Sequence, residues 1–155
     1  DDSKISIINF LENYQTAYAL KRLDYLQAVF SDNALIIVGK VLKPTYGGDS
    51  DRYQLPQAIR TTYSKKQYLD RLSVVFNSNE FINIKFTNSE VVKAGDGGEI
   101  YGIQIKQDYF SSNYGDTGYL FLMVDLNKPA NPIIHVRTWQ QERDPDYGLI
   151  DLSLF

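Results

Sequence analysis

Apolar residues recur at three- and four-residue steps in the first part of the chain and alternate with polar ones in the last third, so helices come first and strands afterwards. Ile7, Ile8, Leu11, Tyr14 and Tyr18 share one side of a helix predicted over residues 3–20. Leu23, Leu26, Val29 and Phe30 carry the spacing into a short second helix. Ser31, Asp32 and Asn33 stop it, because their side chains compete for local backbone hydrogen bonds. A strand follows over residues 34–42, and residues 43–57, with Pro44, Gly47 and Gly48, read as a long surface loop. Ser64 with Gln67 three residues on is a capping-box signal for a third helix ending near Asn77, with Leu69, Leu72, Val75 and Phe76 as its inner stripe.

Residues 81–87 then alternate, with Ile82, Ile84 and Phe86 opposing Asn83 and Lys85, and a turn is expected at Asp96, Gly97 and Gly98. A meander of three strands, over residues 99–111, 117–126 and 133–141, closes the chain. Alternation puts Tyr101, Ile103 and Ile105 on a core face and Gln104, Lys106 and Asp108 on the other. In the last strand it groups His135, Arg137 and Trp139 opposite Ile134, Val136 and Thr138. The middle strand is apolar on both faces, as expected when both are covered; helices can cover one and a partner chain could cover the second. This order predicts an α+β fold.

The 155 residues fit one domain, residues 1–155, large enough for a core without disulfides, and 12 Tyr, 8 Phe and 1 Trp suit half-buried strands and contact surfaces. A net charge of −3 provides no basic field for nucleic acid, and no apolar run reaches the length of a membrane span, so neither nucleic acid nor direct membrane insertion is expected. Without cysteine there is no thiol nucleophile and no thiolate metal site. A start at Asp1 and Asp2 rather than Met suggests a processed piece.

A helix pair, a strand, a capped helix and a long meander resemble the nuclear transport factor 2-like (NTF2-like) superfamily, which includes ketosteroid isomerase and scytalone dehydratase. The strings at residues 101–107, 115–122 and 134–140 (YGIQIKQ, GDTGYLFL and IHVRTWQ) also resemble uncharacterised envelope-protein domains of Bacteroides-like bacteria. The resemblance implies N-terminal helices on a strongly curved, mainly antiparallel sheet, a pocket at the open end of the cone, frequent homodimerisation through the sheet, and a periplasmic, cell-envelope or secreted location. It implies no single activity and no cofactor. None of the superfamily's catalytic motifs matches residue by residue, so no catalytic residue is assigned.

His135 is the only histidine, which excludes a multi-histidine metal site. With no recognisable orienting partner it reads as a contact residue rather than a catalyst. The stripe of Lys106, His135, Arg137 and Trp139 is expected to be a contact surface or, alternatively, a pocket lining, since Trp and Arg anchor interfaces. Asp24 and Tyr25, at the junction of the first two helices, are candidate pocket groups at the cone's opening, against the plainer reading of a solvated helix surface beside Arg22. Asp49, Ser50 and Asp51 lack the spacing of a calcium loop, and the glycines at 95–98 and at 115 and 118 read as turn residues. No metal is expected. The function expected first is noncatalytic, binding a small apolar ligand or another protein domain. The alternatives are a small-molecule isomerase, lyase or hydrolase, favoured by two or more convergent polar groups at the base of an apolar cavity, and a structural dimerisation module.

Overall fold

The computed structural model describes residues 2–42, 57–95 and 98–155. Within them lie helices α1 (Asp2–Ala19), α2 (Leu23–Val29) and α3 (Lys65–Ser78), strands β1 (Phe30–Leu42), β2 (Gln57–Tyr63), β3 (Ile82–Lys93), β4 (Ile100–Ser111), β5 (Gly115–Asp125) and β6 (Ile133–Gln140), and a C-terminal 3-10 turn (Leu152–Leu154). The strands form one sheet in the order β2-β1-β6-β5-β4-β3, antiparallel except where β1 runs parallel to β6. Three helices against a mixed, curved and unclosed sheet give the α+β architecture expected from the hydrophobic pattern.

The apolar stripes account for the packing. Phe10, Tyr14, Ala17 and Tyr18 of α1 are buried against the inner face of the sheet, joined by Leu26 and Val29 of α2 and by Tyr68, Leu69 and Phe76 of α3. Ile103 and Ile105 of β4, Leu120, Leu122 and Val124 of β5 and Ile134 of β6 answer them from the strands. The capping box at α3 is complete: the Gln67 backbone N–H donates to the Ser64 hydroxyl at 3.1 Å and the Ser64 backbone N–H to the Gln67 side chain at 2.9 Å. In the α3 stripe, Leu69 is buried whereas Leu72 is only half-buried and faces a cavity. Leu69→Ala should therefore cost about 2–5 kcal/mol, while Leu72→Ala, which only enlarges an existing space, should cost about 1 kcal/mol in denaturant melts.

Three features depart from the sequence reading. Strand β2 fills a stretch with no predicted element; its signal is the alternation of Ile59, Thr61 and Tyr63 with Ala58, Arg60 and Thr62. β1 begins at Phe30 rather than at residue 34, because Ser31–Asn33 belong to an irregularity in the β1–β6 pairing between Phe30 and Leu35 instead of to a loop. The chain's own C-terminal segment, for which no role was predicted, packs on the outer face of β5. Ile150 packs with Phe121 and Val136, and the Phe155 ring stacks on Phe121 at 5.9 Å between centroids. Two sheet amides hold this segment: Gln104 Nε2 donates to the Ile150 carbonyl at 2.9 Å, and Gln140 Oε1 accepts from the Ile150 N–H at 2.8 Å. Of the loop predicted over 43–57, Gln57 begins β2, while residues 43–56, with Asp49, Ser50 and Asp51, and the turn residues Asp96 and Gly97 lie outside the described residues.

Candidate functional site

Cross-strand rows on the inner face build a cavity of about 420 Å³ between the sheet and α3. Thr61, Val38 and Trp139 lie side by side across β2, β1 and β6, as do Tyr63, Ile36 and Arg137 in the next row. Ile84, Tyr109 and Asp116 form a third row across β3, β4 and β5. From α1 and α3, Tyr18, Tyr68, Arg71, Leu72 and Val75 close the space. The apolar walls thus come from strand alternation and the α3 stripe, and the polar groups sit among them.

Arg137 dominates the electrostatics. It is 9% exposed, its Nε–H donates to the Tyr14 hydroxyl at 3.4 Å, and its guanidinium lies 4.7 Å from the centre of the Tyr68 ring. The Tyr14 and Tyr18 hydroxyls are 3.1 Å apart and those of Tyr18 and Tyr68 2.5 Å, so three phenols form a buried chain beside the cation. Among the described residues Arg137 has no carboxylate partner and no second hydrogen bond. Ring faces and hydroxyl dipoles are its direct contacts, and Asp116 acts on it only at longer range. Burial pushes the Tyr18 phenol well above its ordinary pKa and raises Tyr68 as well, against a smaller opposing pull from Arg137 at each.

Gln107, 5% exposed, also lines the cavity, and its side-chain amide has no hydrogen-bond partner among the described residues. Asp116 is the one carboxylate in the described lining. It accepts a hydrogen bond from the Tyr114 hydroxyl at 2.8 Å. Burial raises the Asp116 pKa, against the opposing effects of that bond and of Arg137, while the bond to Asp116, followed by burial, pushes Tyr114 up to about 12.

Solved structures with the same arrangement settle the fold. The beta subunit of the benzoate 1,2-dioxygenase from Burkholderia mallei superposes with a TM-score of 0.56 at 12% identity, covering 86% of this chain and 87% of that one. Nuclear transport factor 2 from Cryptosporidium parvum gives 0.55 at 8% identity, covering 85% and 88%. A proposed dehydratase of the NTF2-like family from Streptomyces avermitilis gives 0.54 at 11% identity, covering 90% and 96%. The fold is NTF2-like. No protein-family model matches the sequence, and no curated protein matches it.

Within this NTF2-like fold the six candidate residues fall in three places. Arg137 and Trp139 line the cavity. His135 and Lys106 do not share their face, which corrects the predicted stripe. Val124 pairs with Ile134 but Met123 with Val136, so His135 is the extra residue of a β-bulge that resets the alternation. His135 therefore lies on the outer face, half-exposed, with Nε2 4.0 Å from the Asp125 carboxylate. Lys106, opposite Tyr119, is on that outer face too.

Asp24 is exposed, 3.7 Å from Arg22, and lines no described cavity. Tyr25 lines a separate cleft with Phe10, Asn13 and Pro132. There its hydroxyl is buried without a hydrogen-bond partner among the described residues, and burial raises its pKa to about 12.

Sequence reasoning missed Tyr68, Gln107 and Asp116, and placed Tyr14 and Tyr18 only as helix core. The available signal was a pair of phenols four residues apart in an apolar stripe, since a buried phenol needs a partner. Among the described residues no group of three or more His, Cys, Asp or Glu could hold a metal ion, and no described helix is long and apolar enough to cross a membrane.

Proposed function

We propose that this chain is a noncatalytic binding domain that takes a small, largely apolar molecule in the cavity between the sheet and α3. One observation carries the binding part of the reading: a space of about 420 Å³, within the range of small-molecule sites, has mainly apolar walls. The noncatalytic part is supported by where the proton-transfer candidates sit. His135 is on the far side of the sheet and Asp24 is on the helix surface, so neither reaches a bound molecule. A periplasmic, envelope or secreted setting belongs to the same proposal and rests on the resemblance of the strand strings to envelope-protein domains. Homodimerisation is compatible with the fold, but any sheet-to-sheet contact would have to accommodate residues 148–155.

The test uses the one tryptophan. Because Trp139 lines the cavity, titration with small aromatic molecules should change its emission in a saturable way, and Val38→Phe, which fills the wall beside it, should weaken binding about tenfold or more. Unsaturable emission in a folded protein would contradict the reading.

A second reading, an isomerase or lyase, is favoured by Asp116, a carboxylate in the cavity wall whose pKa is raised toward that of a working base. The convergent polar groups around the cavity favour it too. Turnover of isomerisation or dehydration substrates by the wild type, abolished in a folded Asp116→Asn, would replace the noncatalytic reading with this one.

A further inference from the structure

Charged groups are seldom buried without an opposite charge, because desolvation costs several kcal/mol that dipoles only partly offset. Arg137 is such a group: it lines the cavity, and among the described residues only its Nε–H donates a hydrogen bond and no carboxylate lies within ion-pair distance. Gln107 is a second buried polar group in the same lining whose amide has no partner among the described residues. Lys40 and Arg71 add positive charge at more exposed parts of the wall, against the single carboxylate of Asp116. The described lining therefore has an excess of cations in a protein whose net charge is −3. That local reversal of sign is what an anion would sense on entering.

We propose that the molecule bound here is an amphipathic monocarboxylate, with its carboxylate on the open N–H edge of Arg137 and its apolar body against Leu72, Val75 and Trp139. The inference rests on the cavity being a ligand site and names the class of ligand. Arginine presents a planar fork that matches a carboxylate, and one buried guanidinium neutralises one negative charge, so a monoanion fits better than a phosphate dianion. The half-buried aliphatic surface of α3 and the Trp139 ring suit an aromatic or short acyl body.

The experiment compares three probes of one shape, 4-phenylbutyrate, 4-phenylbutan-1-ol and 4-phenylbutylamine, by calorimetry and Trp139 emission near pH 7. The carboxylate should bind the wild type about tenfold or more tightly than the alcohol, and the amine should bind weakest. In Arg137→Gln the carboxylate preference should disappear while the alcohol still binds. Should that variant fail to fold, the three probes on the wild type still decide. Equal binding of carboxylate and alcohol, or tightest binding of the amine, would overturn the monocarboxylate inference and leave the cavity reading standing. Binding of none of the three would overturn both.

Discussion

Gly118→Ala is expected to lose about 1–3 kcal/mol of stability and to displace Trp139 from the cavity wall, and Gly118→Val to lose more. A Cβ built at Gly118 would lie 2.5 Å from Trp139 Cζ2 and 2.6 Å from the Gln140 carbonyl oxygen. The ring has some freedom to swing aside, but the carbonyl belongs to the neighbouring strand and cannot retreat without breaking the pairing of β5 with β6. The glycine thus serves a close approach, which lets the Trp139 ring lie over β5 and form one side of the site. Denaturant melts give the first effect and a red shift of Trp139 emission the second. An alanine variant within about 0.5 kcal/mol of wild type, with unchanged emission, would mean that the ring does not rest there.

The buried phenols should make the protein labile to alkali. Burial raises the Tyr18 and Tyr68 pKa values in the folded state above the value near 10 expected of an unfolded tyrosine. Below pH 10 both states keep these protons and stability is unaffected. Above it the unfolded chain ionises while the folded chain does not, so the folded state binds more protons and stability falls with rising pH. Each tyrosine contributes about 1.4 kcal/mol per pH unit, about 2.7 kcal/mol for the two, until the folded values are reached. Melts between pH 10 and 12 should fall at least that steeply, since Tyr25 and Tyr114 are raised as well, and Tyr18→Phe should make the slope shallower by about 1.4 kcal/mol per pH unit. A flat profile would mean that the phenols ionise freely in the folded protein and that the chain from Tyr14 to Tyr68 is open to water.

The architecture was legible because periodicity and turn chemistry agreed: the α1 stripe, the Ser64 cap and the alternation in β4 each point to one element. What escaped the pattern has physical causes. β2 is short, with Arg60 and Thr62 on one face and a polar Thr61 between Ile59 and Tyr63 on the other, so its apolar signal is weak. The bulge at His135 leaves no mark in the sequence, and a one-residue insertion sends every later side chain to the opposite face. Arg137 and Trp139 therefore belong with Ile134, inside, and His135 with Lys106, outside. The cavity was legible only as two of its residues, because Tyr18, Tyr68 and Asp116 come together from α1, α3 and β5 through tertiary packing.

A crystal structure of the chain grown with 4-phenylbutyrate tests the central claim most directly. The account predicts electron density for the probe in the cavity, its carboxylate on Arg137 and its ring beside Leu72 and Trp139. An empty or collapsed cavity, with the probe bound instead on the outer face near Lys106 and His135, would contradict it.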